Sequence, residues 1–499
     1  MLNSKVSYQK SLKETSEIGY VKEVLPPIVL VQGLPKVSVN EIVVFENNVV
    51  GVVNTLSSNY VEILLLSAFV PKIGQKVTRT NTYLSIPVGN YLLGSSVDSL
   101  GNTIYENVFM QEPSDYKNID SVASGISNRV KITEALETGV TSVDLMIPLG
   151  KGQRELIIGD RNIGKTTFLY QTMLSQVKKG TIVVYATIGK QRTAVKQLEE
   201  FVDKVKIRDK VVIVASSSSD PLGMIYLTPY SAMTIAEYFR DLGSDVLVVL
   251  DDLTTHGRFY REMSLIAKKF PGREAYPGDI FYAHARLLER AGLFKIGTKN
   301  VAITCLPVSE TIEGDISGYI QTNLMSITDG HIFFDGDLFK QGHKPPINHF
   351  LSVTRVGRQT QSKLRWGVNR ELVSFYTLYN KTQNFVHFGA ELNEGIKATL
   401  QMGDKLITFF NQPVGQVVPL PIQILFYCLV WLGAFSIDDL GQITELMSKS
   451  SELYFNDKVF KQKIDKLINQ DDDFNQLLGK ISSDLKNTVK FLEDSNVKK

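Results

Sequence analysis

The chain has 499 residues, too many for a single hydrophobic core, so two to four domains are expected. Its composition, 43% hydrophobic and 21% charged, is that of an ordinary soluble globular protein. With 54 basic against 52 acidic residues the formal charge is +2, which argues against a protein whose main work is gripping nucleic acid by its phosphates. Cys305 and Cys428 both sit in apolar runs and read as buried free thiols, consistent with a reducing compartment.

Residues 1–17 read as a short polar lead of mixed charge, with no signal-peptide pattern. From 18 to 86 the texture is strand-like, with runs at Ile28–Val31, Glu41–Phe45, Val49–Val53, Val61–Leu66 and Lys76–Thr80. Turn signals at Asn47-Asn48, Ser57-Ser58-Asn59 and Lys72-Ile73-Gly74 separate several of them. Short strands at this spacing predict a small antiparallel β-barrel. From 87 to 361 buried-strand runs (Thr181–Ala186, Val211–Val214, Val246–Leu250, Val301–Cys305) alternate with helical stretches. That alternation predicts an α/β domain built on a parallel sheet. From 362 to 499 helical patterning dominates, and the charges of Lys458–Lys499 read as the solvated faces of amphipathic helices. The apolar run Val417–Phe435 is interrupted by Pro419, Pro421 and Gln423 and reads as a buried helix, not a membrane span. A cytoplasmic chain is expected, touching a membrane only indirectly through partners. No internal repeat and no low-complexity segment stands out.

The chemistry centres on Gly159-Asp160-Arg161-Asn162-Ile163-Gly164-Lys165-Thr166. This is Gly, four residues, then Gly-Lys-Thr, preceded by the apolar strand Leu156–Ile158. It is followed by Tyr170, Met173, Leu174 and Val177 at helical spacing. A phosphate-binding loop needs that strand–loop–helix setting, whereas a chance Gly-Lys-Thr in a surface loop would lack it. The glycines let the backbone wrap a polyphosphate, and the helix start offers N–H groups and a favourable dipole. Gly159 through Thr166, with Thr167, form the expected phosphate-binding set; Lys165 reaches the outer phosphates and the Thr166 hydroxyl ligates Mg2+. Downstream, Val246–Leu250 ends in Asp251-Asp252. A buried strand ending in a carboxylate is where phosphate-loop folds hold Mg2+ or its water, and Asp251 is the residue expected to do so through water. The bland alternative is a strand-end aspartate capping the next helix.

At this point the chain resembles the alpha subunit of F-type ATP synthases. The residues that carry the resemblance are Pro148–Lys165, Pro271–Ala291, Met325–Phe333 and Leu351–Gly357, with Ala232–Arg240 and Pro307–Asp315 between them. The resemblance covers most of the chain. It implies a barrel, a RecA-like nucleotide domain and a helical bundle. It also implies a hexameric ring in which this chain alternates with catalytic beta-type subunits around a gamma-type central shaft, with stalk or membrane-sector proteins beyond. That places the complex at the inner face of the cell membrane. An alpha subunit binds Mg-ATP (or ADP) without hydrolysing it and lends an arginine to its neighbour.

Hydrolysis requires a group that orients the attacking water, a glutamate in the beta-type chain. The matching position here, after Thr187-Ile188-Gly189, holds Lys190. A protonated amine cannot accept a proton from water, so bound nucleotide should persist. Glu310, at the end of another strand, is expected near the nucleotide without replacing that base. By resemblance Arg355, after Leu351–Thr354 read as a strand, is the finger that enters the partner's site, and Ser326 stands at the same interface. The alternative for Arg355 is a surface salt bridge worth about 1 kcal/mol or less. A finger is worth about 10³ to 10⁵ in rate, or roughly 4 to 7 kcal/mol of barrier.

The chain departs from its family in several places. Asn162-Ile163 stands where Gln-Thr is usual, and Lys344 replaces an arginine near the adenine pocket while Phe339 is kept. Gln416 matches the adenine-contacting turn, with Val414 where a second glutamine is common. The lead is shortened, and Pro26-Pro27-Ile28-Val29 replaces an Asp-Gly-Ile-Ala-Arg run. These departures leave two readings open: a proton-coupled synthase, or a specialised F-type-like ATPase driving another process. A Rho-like nucleic-acid translocase would need a basic, aromatic barrel surface, and a purely structural relative would have lost its nucleotide; Gly164-Lys165-Thr166 and Asp251 speak against the second.

Overall fold

The computed structural model describes residues 7–105, 112–113, 115–387, 393–437, 439–469 and 473–497. Along the chain the architecture is all-β, then α/β, then helical. By internal packing it forms two compact units. One comprises Met1–Val130, Gly180–Glu310 and Ile316–Thr328; the other comprises Lys131–Lys179, Thr311–Asp315 and Asp329–Lys499.

The first unit begins with a helix α1 (Tyr8–Thr15) and six strands, β1 (Gly19–Leu25), β2 (Ile28–Gln32), β3 (Glu41–Phe45), β4 (Val50–Leu56), β5 (Val61–Leu65) and β6 (Lys76–Tyr83). These close a barrel in the order β1-β2-β5-β4-β3-β6, as the strand spacing predicts. Valines pointing inward at Val21, Val31, Val43, Val53 and Val77, with Phe45 and Ile63, fill it. Closure leaves no open sheet edge. Sequence periodicity missed β1, whose burial beyond Val21 is only partial. Of the barrel aromatics, Phe45 lies in the core while Tyr20 and Tyr60 are exposed, so the three cannot form one stacking platform. The described part of the polar lead packs on the barrel: α1 is tied to it by Tyr8 N–H to Asn48 Oδ1 (3.0 Å) and by Thr15 to Thr78 (3.2 Å).

The same unit carries a sheet whose strands, in order, are Lys299–Glu310, Val246–Asp251, Ile182–Lys190, Val211–Ser217 and Ser96–Val97, all parallel. Gly292–Ile296 adds an antiparallel edge. The predicted runs are these strands. Val183–Val184 and Val246–Leu250 are buried almost completely because helices cover both faces.

In the second unit the strand Glu155–Gly159 pairs in parallel with Gly330–Phe334, which pairs antiparallel with Val353–Thr354. Helices follow from Lys363–His387 to Leu485–Val497. The apolar run before Phe435 becomes the helix Leu420–Trp431, buried on every side through Val430, as a helix apolar all round requires. Among the described residues no helix is long and apolar enough to cross a membrane. Both cysteines are buried and outside any disulfide.

Candidate nucleotide site

The second unit builds the phosphate loop. The strand Glu155–Gly159 is buried throughout, and the helix Lys165–Lys178 starts directly after Gly164. A Cβ on Gly159 would meet Phe334 O at 2.6 Å, and Gly164 has φ +100°, so both positions need glycine. No side chain caps the helix start, which leaves its first N–H groups facing the loop. Lys165 is 8% exposed, and its Nζ donates to Gly159 O at 2.7 Å and to Asp160 O. Asp160 accepts from Thr311 Oγ1 (2.5 Å) and Gly314 N (3.0 Å), which ties the loop to the next segment. Arg161, Asn162 and Thr166 are exposed, Thr167 is partly buried, and Ile163 packs inward. Asn162 has φ +60°, a conformation asparagine tolerates.

The other nucleotide candidates of this unit gather around the same loop. Gly336, which opens the helix Gly336–Lys340 carrying the exposed Phe339, borders Asp160: a Cβ there would stand 3.7 Å from its carboxylate. Pro346 lies equally close to Gly164. Lys344 is exposed; its N–H donates to Asn411 Oδ1 (2.9 Å) and its carbonyl accepts from Gln412 N (2.8 Å). Gln171, on the phosphate-loop helix, donates to Pro413 O (3.2 Å) and Gln416 O (3.0 Å). The Gln416 carboxamide is thereby placed with both Oε1 and Nε2 buried and without a partner. Buried amides are paired in nearly every fold; an adenine edge, donor beside acceptor, would pair both atoms. Val414 is 77% exposed and takes no part in the core. The residues present therefore fit a purine nucleotide with its polyphosphate at the helix start.

Arg355 sits at another corner of this unit. Asp329 holds Arg154 by a two-pronged ion pair, with Oδ1 to Nη2 at 2.7 Å and Oδ2 to Nε at 3.0 Å, and also accepts from Arg154 N. The Asp329 carbonyl in turn accepts the Arg355 N–H at 2.9 Å. Thr354 is gripped by Gln153 (3.1 Å), which also donates to the buried Glu155 (2.6 Å). Burial raises the Glu155 carboxyl well above its ordinary pKa; the Gln153 bond and the nearby Arg355 charge pull it only partly back. Arg355 itself is exposed. The strand before it is shorter than Leu351–Thr354: only Val353 and Thr354 pair. Asn348 Oδ1 takes the Phe350 and Leu351 N–H groups at 3.1 Å, which bends that stretch into a turn.

The first unit places Asp251 and Asp252 at the end of their strand. Capping falls to Asp252, which accepts the Thr255 N–H at 2.6 Å and opens the helix Leu253–Ile266. Asp251 caps nothing. Its Oδ2 accepts from Tyr185 Oη (3.0 Å), and its Oδ1 lies 3.0 Å from Lys190 Nζ, which also pairs with Asp252 at 2.8 Å. Burial alone would lower the Lys190 pKa, but the two carboxylates outweigh it and raise it. Burial also lifts the Asp251 carboxyl, with Lys190 opposing. Glu310 ends the strand Lys299–Glu310, its carboxylate 4.0 Å from Arg258. Ser326 is exposed and donates to Asn323 O at 2.7 Å. Asp251, Glu310 and Ser326 thus belong to the first unit, and the loop, Arg355, Phe339, Lys344 and Gln416 to the second. Sequence reading singled out none of Asp329, Arg154 and Tyr185 for a role, although each lies inside a stretch already marked: Met325–Phe333, Pro148–Lys165 and the strand run Thr181–Ala186.

Residues 139–354 match the nucleotide-binding domain of the ATP synthase alpha/beta family. The ATP synthase alpha subunits of Staphylococcus aureus strains JH9, JH1 and Mu50 are 37% identical over 441 residues, covering 88% of this chain and 87% of each relative. This chain belongs to the ATP synthase alpha/beta family, on the alpha-subunit side. The motifs quoted above, and the closed barrel followed by α/β and helical regions, agree with that membership. As an alpha-type chain of an F-type ATPase it carries a nucleotide-binding domain whose phosphate loop is intact from Gly159 to Thr166.

Proposed function

We propose that this alpha-type subunit holds Mg-ATP without cleaving it, and that it alternates with beta-type subunits around a gamma-type shaft, lending Arg355 to the neighbour's catalytic pocket. The observation that carries the reading is Lys190, an ammonium ion-paired to Asp251 and Asp252 where a water-orienting carboxylate would be needed. Lys165 and the helix start bind the phosphates. Thr166, with Asp251 through water, serves the Mg2+ when it is bound, and the metal supplies charge neutralisation of the outer phosphates. Phe339, Lys344 and the unpartnered Gln416 amide receive the base. Glu310 lies in the nucleotide-binding domain without acting as the base. Residues 18–86, 87–361 and 362–499 are the barrel, nucleotide-binding and helical domains, and Ser326 belongs to the interface with the neighbour. The exposed, permanently charged Arg355 suits the charge spread over a transferring phosphoryl group.

The test is reconstitution. The purified chain is expected to bind Mg-ATP and to turn it over negligibly, with hydrolysis appearing on addition of a beta-type partner. Arg355→Ala then lowers hydrolysis by the complex about 10³- to 10⁵-fold, while ATP affinity of the isolated chain stays within about threefold, since uniform binding is untouched. Rapid turnover by the chain alone refutes the proposal.

A second reading, a specialised F-type-like ATPase coupled to another apparatus on the cytoplasmic membrane face, is favoured by α1. That helix is bonded to the chain's own barrel through Tyr8 and Thr15, whereas the resemblance to alpha subunits implies a lead that docks a peripheral stalk. Co-purification of the native complex separates the two: proton-channel and stalk subunits for the synthase, other partners for the specialised ATPase.

A further inference from the structure

Asp251 and Asp252 end a fully buried strand side by side, and every carboxylate oxygen of the pair is already engaged. Asp251 Oδ2 accepts from Tyr185; Asp252 Oδ1 accepts the Thr255 N–H, and Oδ2 the Thr255 hydroxyl at 3.1 Å. Asp251 Oδ1 and Asp252 Oδ2 share one cation, Lys190 Nζ, at 3.0 and 2.8 Å. The lysine is delivered by its own strand: Ile182–Lys190 runs parallel to Val246–Asp251, with Thr187 opposite Asp251. Its side chain is only 25% exposed, so the ammonium is held between the carboxylates and not in bulk solvent.

We infer that Lys190 is a built-in counter-ion occupying the cation position of the Asp251–Asp252 pair, so that a divalent ion reaches Asp251 only by displacing it. The inference rests on the reading of Asp251 as a metal-site residue. The physical reasons are simple. One ammonium cancels half of the pair's charge and so removes about half of the Coulomb attraction for Mg2+. Its four-carbon stem is flexible enough to swing out and let the metal in. The consequence is that Asp251 takes up a divalent ion weakly unless Lys190 swings aside, so Lys190 sets how tightly the metal is held at this carboxylate pair.

The experiment titrates Mn2+ into the nucleotide-free full-length chain and follows free Mn2+ by electron paramagnetic resonance. Lys190→Gln is expected to bind one Mn2+ at least tenfold tighter than the unaltered chain. Lys190→Arg, which keeps the cation, is expected to behave like the unaltered chain, and K190Q/D251N to lose the gained site. Equal Mn2+ affinities in the unaltered chain and K190Q, or a gain that survives Asp251→Asn, overturn the inference. If K190Q is unfolded without metal, recovery of its thermal transition on adding Mn2+ supports the inference, and no recovery overturns it. The measurement uses no nucleotide. Failure of the wider reading shows separately, as absence of ATP binding in equilibrium dialysis with the unaltered chain.

Discussion

Asp329→Ala removes the clamp behind Arg355. Its carboxylate accepts three hydrogen bonds from Arg154, at 2.9, 3.0 and 2.7 Å, two of them from the guanidinium. A hydrogen bond to a charged group is worth about 1.5 to 3 kcal/mol net. The three share one carboxylate, and both side chains are 22% exposed, so water reclaims part of the loss. The expected destabilisation is therefore about 3 kcal/mol, well short of a threefold sum. The functional effect runs through the backbone. The Asp329 carbonyl holds the Arg355 N–H at 2.9 Å, and its peptide is positioned by the clamp. A shift of about 1 Å in a catalytic group costs on the order of 10² in rate. Reconstituted complex carrying D329A should hydrolyse ATP roughly a hundredfold more slowly, intermediate between the unaltered complex and R355A, while ATP binding by the isolated chain changes less than about threefold. Urea melts read the stability; steady-state hydrolysis and equilibrium dialysis read the rest. A variant that loses its stability yet hydrolyses within threefold of normal would show that Asp329 does not set the position of Arg355.

Two further outcomes are expected. Gln416→Leu removes two buried, unpartnered polar atoms, so the nucleotide-free chain should gain about 1 to 2 kcal/mol in urea melts, while its ATP affinity falls about tenfold for lack of the base contact. In the first unit, His256 Nε2 lies 3.1 Å from Tyr226 O, which can only accept, and His256 Nδ1 lies 3.2 Å from His284 Nε2, a contact that two charged rings could not share because both nitrogens would be donors. Burial lowers them to about 4 and about 3. A depressed histidine keeps its stability above its unfolded pKa and loses it as pH falls, because the unfolded chain takes the proton first. With an unfolded value near 6.5, each ring should forfeit about 2 kcal/mol between pH 7 and 5. The unaltered chain should therefore lose about 4 kcal/mol over that interval from this pair, a slope absent from the His256→Gln/His284→Gln variant in denaturant melts at both pH values.

Some of this was legible in the residues themselves. Gly159 to Thr166 is a local device: a short apolar strand, glycines at the two constrained backbone positions and a helix start. Near neighbours in the chain suffice to specify all three. The barrel and the parallel strands were legible for a related reason, since burial on one face or both writes its period directly into the chain. The strand β1 escaped because its burial is only partial beyond Val21, and Leu351–Ser352 misled because an asparagine turn took up apolar residues that looked extended.

The sequence by itself determined the fold class, the phosphate loop, the strand-end carboxylates and the alpha-type kinship, each set by short-range pattern or by motif. Only the tertiary structure decided which aspartate caps a helix and which meets Lys190, that Asp329 clamps Arg154 behind Arg355, and that the Gln416 amide is buried without a partner. The cap itself is local, but the Lys190 and Arg154 ion pairs join groups tens to hundreds of residues apart at about 3 Å, and no local spacing encodes which of many polar side chains the folded core will bring face to face or leave without a partner.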